Sequence, residues 1–357
     1  MQKARVLVVD DSAVIRLVLS DVLAAEPDIE VAGTAASGEL ALRRIEELAP
    51  TVVTLDVEMP GLGGLATLVE IRRRWPTLPV IMFSALTERA AKTTIDALAR
   101  GATECIAKPR ESDRASSTAY VKAQLLPLVR ALSGVQPAVA PAAPTTTRAA
   151  APARLRSSSR PPPEILAFGA STGGPAALTA ILTDLPTSFP LPIVVVQHMP
   201  PIFTRLFAER LTAVTSIPFS EAVDGEKLLP GHGYVAPGDY HMRIAAGRRI
   251  ALDQRPHEHS CRPAVDVLFR SVANAYGAAA FGVVLTGMGQ DGVLGAEAIV
   301  QLGGRVIAQD ELSSVVWGMP GYVARAGLAD AVLPLAEIAD DIQRHCGAAA
   351  GGRPHVA

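Results

Sequence analysis

The stretch Ile165-Leu166-Ala167-Phe168-Gly169-Ala170-Ser171-Thr172-Gly173-Gly174-Pro175 is the one around which the chain is organised. Its apolar start, Ile165 to Phe168, predicts a buried strand, and Pro175 opens an alanine-rich segment that reads as a helix. Proline suits the first helical turn because its missing N–H would have no intrahelical partner there. Ser171 therefore falls between a strand C-terminus and a helix N-terminus. Small neighbours permit a tight turn, and free backbone N–H groups face any charge that develops at the hydroxyl. The G-x-S-x-G spacing is that of a turn presenting a nucleophilic serine. Taken alone it fits equally a glycine-rich turn that only packs, or one that holds a phosphate. A Walker-type loop is disfavoured, because no Gly-Lys-Ser/Thr follows.

Outward from this turn, Ile193–Val196 predicts a second buried strand, ending in Gln197-His198-Met199-Pro200 and followed by a helix over Ile202–Val214. A turn-rich, β-rich section runs from Phe219 to Leu252, with Pro237-Gly238-Asp239 as a turn signal. Ala264–Tyr276 has helical period, and Ala279–Leu285 predicts a third buried strand that ends in Thr286-Gly287-Met288-Gly289-Gln290-Asp291-Gly292. A further helix, strand, loop and helix complete this half. Three strand ends thus deliver a serine, a histidine and an aspartate, and a parallel sheet brings such ends to one edge.

Ester hydrolysis uses this trio. Serine needs a base to take its proton, histidine has the right pKa range, and a carboxylate on the far ring nitrogen fixes the tautomer. The order Ser…His…Asp differs from the Ser…Asp…His of α/β-hydrolases, which argues against that fold. Asp291 also reads as a cap for the helix that begins at Gly292. His257-Glu258-His259 is a second polar cluster, but it lacks a third metal ligand at helical spacing.

The first half alternates strand and helix patterns. Arg5–Val9, Glu30–Ala35, Val52–Leu55, Val80–Phe83 and Glu104–Ile106 predict five strands, and the last helix covers Ser116–Leu132. This pattern implies a doubly wound parallel sheet. Asp10 and Asp11, Asp56, Ser84 and Lys108 fall at or just after strand C-termini. Carboxylates gathered at one sheet edge repel one another unless a hard cation sits between them, and Mg2+ takes such oxygen ligands. A carboxylate beside that ion can attack a phosphoryl group, with the lysine offsetting charge and Ser84 bonding a new phosphoryl oxygen.

Val8-Val9-Asp10-Asp11-Ser12, Leu55-Asp56-Val57-Glu58-Met59-Pro60, Ser84-Ala85 and Lys108-Pro109 together resemble a response-regulator receiver domain of flavodoxin-like fold. The resemblance implies Asp56 as phosphoacceptor and Asp10, Asp11 and a backbone carbonyl near Glu58 as ligands of Mg2+. Cys105 departs from the pattern: receivers often carry Tyr or Phe at that place, and a cysteine supplies no ring for an aromatic relay there.

Between the halves, Ser133 to Pro163 is rich in Pro, Ala, Thr and Ser, has four arginines (Arg148, Arg154, Arg156, Arg160) and no Asp or Glu. Such composition cannot bury enough apolar area to offset ordering entropy, so it reads as a partly stiff spacer with a role in solubility. The expected domains are 1–132, 133–163 as linker, 164–346, and 347–357 as a tail. The net charge of −2 speaks against nucleic-acid binding, as does the lack of a basic helix-turn-helix pattern. Three cysteines (Cys105, Cys261, Cys346) are too few and too dispersed for a disulfide framework or a zinc site. No apolar run reaches membrane-spanning length, and Asp10 and Asp11 interrupt the first apolar stretch, which leaves no signal-peptide pattern. The expectation is a cytoplasmic protein with no direct membrane insertion.

The second half, through Gly169–Pro175, Gln197-His198-Met199, Phe203–Leu211, Ala236–Met242, Val265–Phe269 and Leu285–Gly289, closely resembles the CheB family, whose members are chemotaxis protein-glutamate methylesterases. The resemblance implies a Rossmann-like α/β catalytic domain with Ser171, His198 and Asp291 as triad. It also implies the Met288 backbone N–H as oxyanion donor, helped by Thr172, and no cofactor for the esterase chemistry. It further implies methylated cytoplasmic helices of chemoreceptors as substrate, a chemotaxis histidine kinase as phosphodonor, and deamidation of receptor glutamines as a second activity.

Overall fold

The structure, a computed structural model, describes residues 3–85, 87–108, 114–134 and 160–346. Of the expected linker, residues 135–159 lie outside the described residues, as does the expected tail 347–357. The chain divides into two compact units, Met1–Ala85 with Cys105–Arg160, and Leu86–Glu104 with Pro161–Ala357.

The first unit is built on β1 (Ala4–Val9), α1 (Ala13–Ala24), β2 (Ile29–Ala35), α2 (Gly38–Leu48), β3 (Val52–Asp56), α3 (Gly63–Arg74) and β4 (Val80–Ser84). The segment that follows carries α4 (Glu88–Ala99) and groups with the second unit. The first unit then resumes with β5 (Glu104–Ala107) and α5 (Arg114–Ser133). The strand order β2-β1-β3-β4-β5 is the doubly wound arrangement expected, with the reversal of direction between β1 and β3. Both β3 and β4 are buried along their whole length, which explains their near-continuous apolar sequence. Val6, Val8 and Phe83 from the sheet pack with Leu19, Leu23, Val121 and Leu125 from α1 and α5. Each such side chain contributes roughly 1.5–3 kcal/mol on full burial. Ser12 and Ser37 accept the Ile15 and Leu40 N–H groups and so cap α1 and α2.

The second unit contains β6 (Ile165–Ala170), α6 (Gly174–Thr183), β7 (Ile193–Gln197), α7 (Pro201–Val214), β8 (Phe219–Glu221), β9 (Gly233–Val235), β10 (His241–Ala245) and β11 (Arg249–Asp253). It continues with α8 (Val265–Tyr276), β12 (Ala280–Val284), α9 (Val293–Gln301), β13 (Arg305–Gln309), α10 (Met319–Arg325), β14 (Ala331–Leu333) and α11 (Leu335–Cys346). The seven-stranded sheet has the order β14-β13-β12-β6-β7-β9-β8, with every neighbouring pair parallel. Without the edge strand β8, this is the Rossmann order, and the reversal lies between β6 and β12. Ala167, Val194, Leu268, Phe269 and Val284 belong to its core.

Two differences from the sequence reading have physical causes. The β-rich section splits: β8 and β9 extend the parallel sheet, whereas β10 and β11 form a separate antiparallel pair. Strands of three residues are too short to show a period. The region expected as one loop after β13 also contains α10 and β14, of seven and three residues. In addition, β3, β4 and β7 run on to take in Asp56, Ser84 and Gln197, polar residues that ended the apolar pattern but still lie within the strands.

Candidate active site and phosphoacceptor cluster

In the first unit, the two strand ends beside the sheet's reversal point hold Asp10 and Asp56, each 1% exposed. One oxygen of each is held by its own turn: Asp10 Oδ1 accepts Ser12 N–H at 2.9 Å, and Asp56 Oδ1 accepts Glu58 N–H at 3.1 Å. The other oxygens, Asp10 Oδ2 and Asp56 Oδ2, each lie 2.9 Å from Lys108 Nζ and make no other polar contact among the described residues. Lys108 N–H donates to Ser84 O at 2.7 Å, which joins the ends of β4 and β5. Burial and the Asp10 charge raise the Asp56 pKa to about 6, against the pull of Lys108. The Lys108 pKa is raised, since the two carboxylates outweigh the cost of burying its charge.

Ligand oxygens of Asp10, Asp11 and Asp56 all lie within 4.8 Å of one another. An all-carboxylate donor set with two buried oxygens served by a single ammonium fits a hard divalent cation such as Mg2+. The Glu58 side chain is exposed and is not part of this group. Ser84 is buried, and its hydroxyl donates to Ala85 O at 3.2 Å.

The raised Asp56 pKa sets a sign for stability. A carboxyl whose folded pKa lies above its unfolded value contributes stability that is complete below 3.8 and is lost as pH rises through about 6. Without divalent cation, the first unit is expected to lose up to ~3 kcal/mol over that window. Asp56→Asn should flatten the slope, and added Mg2+ should offset the loss at neutral pH. Calorimetric unfolding of wild type and variant at several pH values checks this; identical slopes in the two proteins would refute it.

In the second unit, β6 lies beside both β7 and β12, so Ser171, His198 and the Thr286–Asp291 segment emerge together at the strand C-termini. Ser171 N–H donates to Thr286 O at 3.1 Å, and His198 N–H to Ala170 O at 3.1 Å. The positive φ of the serine turn falls on Gly173 (φ +77) and not on Ser171, so the serine is presented without left-handed backbone strain. Gly287 is required for a different reason: a Cβ there would come within 2.7 Å of Ser171 Cβ and 2.5 Å of Met319 Sδ.

His198 Nε2 bonds Asp291 Oδ2 at 2.9 Å. Its Nδ1 lies 3.6 Å from Cys261 Sγ, and it is the nitrogen left to receive a proton. Ser171 is half-buried just past the neighbouring strand end, and among the described residues its hydroxyl makes no hydrogen bond, to His198 or to any other group. Such bonds are commonly long before substrate binds. Burial opposes a charged imidazole, but the Asp291 and Cys261 contacts outweigh it, so the His198 pKa is raised. Asp291, 2% exposed, also accepts Val265 N–H at 2.7 Å and Asp266 N–H at 2.9 Å. Its burial favours the neutral acid, but His198 and these two N–H groups hold its pKa below the usual value. As a cap it therefore serves α8, and not the helix that follows it in sequence.

The backbone N–H groups of Thr172 and Met288 donate to no other group among the described residues, as oxyanion donors require. Thr286 ties the two segments together, its Oγ1 donating to Thr172 O at 2.9 Å while its N–H donates to Gln309 Oε1 at 2.9 Å. The His257-Glu258-His259 cluster is dispersed: Glu258 pairs with Arg270 at 2.6 Å, and His259 with Asp266 at 2.9 Å.

Several residues at the site were not singled out from sequence. Gln197, fully buried, donates from Nε2 to Ser171 O at 2.9 Å and to His198 O at 3.3 Å. A glutamine closing the apolar run Ile193–Val196 was an available signal. Cys261 carried none, since it reaches His198 across 63 residues of chain.

Comparison with known proteins gives concordant matches. The CheB methylesterase family model matches residues 166–342, and the response regulator receiver domain model matches residues 6–119. A protein-glutamate methylesterase/protein-glutamine glutaminase of Trichodesmium erythraeum is 46% identical over 97% of this chain and 100% of its own. One from a Nocardioides species is 48% identical over 96% of each chain. Among solved structures, the Thermotoga maritima CheB methylesterase catalytic domain matches with a TM-score of 0.50 and 43% identity, over 51% of this chain and 98% of that one.

Proposed function

The chain belongs to the CheB methylesterase family, as a receiver domain joined to a protein-glutamate methylesterase/glutaminase, and on that premise we propose that Ser171, His198 and Asp291 perform the hydrolysis. The Ser171 hydroxyl attacks the carbonyl carbon of a glutamyl methyl ester, and His198 Nδ1 takes its proton. The carbonyl oxygen gains negative charge, which the Met288 and Thr172 N–H groups stabilise. Asp291, on Nε2, fixes the ring tautomer and stabilises the imidazolium. Collapse of the tetrahedral intermediate expels methanol, which leaves with the proton from His198. Water, deprotonated by the same imidazole, then attacks the acyl-serine and releases the free glutamate carboxylate and the Ser171 hydroxyl. A glutamine side chain passes through the same steps with ammonia as leaving group, more slowly because the amide is the poorer electrophile. The substrates on this reading are methylated cytoplasmic helices of chemoreceptors.

The observation that carries this reading is the 2.9 Å bond between His198 and a buried Asp291, at strand ends next to Ser171. Methanol release from a methylated receptor fragment tests it. A protein that binds the fragment without releasing methanol would overturn it.

For control, we propose Asp56 as phosphoacceptor, with Asp10, Asp11, Asp56 and the Glu58 carbonyl as residues that would hold Mg2+. When bound, Mg2+ supplies charge neutralisation for the phosphoryl oxygens. Lys108 and Ser84 then bind those oxygens. The donor is a chemotaxis histidine kinase, and the unphosphorylated receiver limits access to Ser171. This reading rests on an acceptor domain and a hydrolase separated by a proline-rich spacer. It also places the chain in the cytoplasm; no helix among the described residues is long and apolar enough to cross a membrane. Both a phosphodonor with Mg2+ and proteolytic cleavage within 135–159 should raise methanol release about tenfold or more. If the cleaved protein is no faster than the intact, unphosphorylated chain, the control model fails.

A further inference from the structure

Behind the His198–Asp291 pair lies a second imidazole–carboxylate pair that the reaction as written does not use. Asp266 is 0% exposed and occupies the second position of α8. Its Oδ2 bonds His259 Nε2 at 2.9 Å, and its Oδ1 accepts Gly295 N–H, in the first turn of α9, at 2.6 Å. In return, Asp291, which precedes α9, accepts the first two N–H groups of α8. Each aspartate therefore caps the helix that belongs to the other. Neither helix has a side-chain cap from its own N-cap residue, Ala264 or Gly292. The two helices also approach closely: a Cβ on Gly295 would lie 2.4 Å from Phe269 Cβ.

We propose that Asp266, clamped by His259, is a positioning residue for Asp291 and through it for His198. The argument is geometric. The bond from Asp266 N–H to Asp291 Oδ1 leaves Oδ2 aimed at His198, and the angle of that carboxylate depends on where α8 begins relative to α9. The carboxylate of Asp266 fixes this offset by its bond to Gly295. His259, with side chain 26% exposed, fills the remaining acceptor oxygen of a buried anion. Without that donor, the anion would be short of a partner and α8 free to shift. Ligand atoms of His259, Asp266 and Asp291 lie within 4.8 Å of one another, so the Asp266 charge also acts on the catalytic pair. Burial raises the Asp266 pKa, the Gly295 N–H opposes this, the Asp291 charge adds to it, and His259 opposes it. Among the described residues no other charged side chain bonds this pair: Glu258 and Arg270, the nearest along the loop and helix, are bonded to each other. The groups bonded to His198 are Asp291 and Cys261.

The inference rests on the proposed triad, and the experiment separates the two. In the full-length chain, methanol release from a methylated receptor fragment is measured across pH for wild type, Asp291→Asn, Asp266→Asn, His259→Ala and His259→Gln. Asp266→Asn should lower kcat about tenfold or more with KM within twofold. Its acid limb of kcat/KM should move to lower pH by about half a unit or more, because a negative charge that favours the imidazolium is gone. His259→Ala, at a partly exposed position, should lower kcat severalfold with little change in Tm. His259→Gln, which keeps a donor for Asp266, should recover most of that loss. If Asp266→Asn fails to fold, the two His259 variants decide. Equal kcat and an unmoved acid limb in Asp266→Asn, or equal kcat in both His259 variants and wild type, would refute the positioning role. Full activity in Asp291→Asn would instead refute the triad itself.

Discussion

Replacement of Ser171 by alanine is expected to reduce methanol release by about 10⁴-fold or more while leaving the fold intact. The loss is large because, in the proposed mechanism, the hydroxyl oxygen is the atom that forms the acyl bond, and an alanine methyl has no electron pair to offer. Residual turnover would come only from the oxyanion donors and substrate binding. The fold should be indifferent for a structural reason. What anchors residue 171 is its backbone: N–H to Thr286 O, and C=O to both Gly174 N–H and Gln197 Nε2. Among the described residues the side-chain oxygen forms no hydrogen bond, so Tm should shift by no more than about a degree or two. Binding of a methylated receptor fragment should persist. Retention of even a few per cent of wild-type turnover would remove Ser171 from the nucleophile's role.

Asp291→Asn should cost about 10⁴ in kcat, the scale on which serine triads lose rate when the carboxylate becomes an amide. With the asparagine oxygen in the Oδ1 position, where it keeps the Asp266 N–H, the amide NH2 takes the Oδ2 position and faces both Val265 N–H and His198 Nε2. That nitrogen must then accept rather than donate, which puts the imidazole's proton on Nδ1. The nitrogen meant to receive the serine proton is thereby blocked. The imidazolium also loses its countercharge, so the raised His198 pKa should fall toward the ordinary histidine range. In wild type, a raised His198 pKa means that kcat/KM climbs with pH until the ring is neutral, with a midpoint above that of a free imidazole. A pH profile of both proteins reads the two effects together. A variant with the same midpoint as wild type would show that Asp291 does not bear on His198.

Most of the scaffold was legible because both sheets bury their strands on two faces. Val52–Asp56, Val80–Ser84 and Ile193–Gln197 are buried throughout, and each reads as an apolar run, broken only by Thr54, that a polar residue closes. That closing residue is also where chemistry gathers, so finding the strands nearly located Asp56, Ser171 and His198. The less legible parts rest on contacts between distant segments. Gln309 bonds Thr286 from 23 residues away, and Cys261 meets His198 from 63. Asp291 was recognisable as an acid after a strand. Its service to α8 was not, because the natural inference from sequence gives a cap to the helix that follows. The His257-Glu258-His259 tripeptide shows the converse: Glu258 and His259 are neighbours in sequence, yet the loop sends them to different partners, Arg270 and Asp266.

The central position of β6 has a consequence for how the molecule comes apart. This strand is bonded along both edges, to β7 and to β12, and is buried along its whole length. Its amide protons can exchange with solvent deuterium only when the whole sheet separates, so the base of the nucleophile turn reports global opening rather than local fraying. Inactivation by denaturant should accordingly follow the loss of secondary structure in the second unit, with no earlier phase in which the serine has drifted from place while the sheet survives.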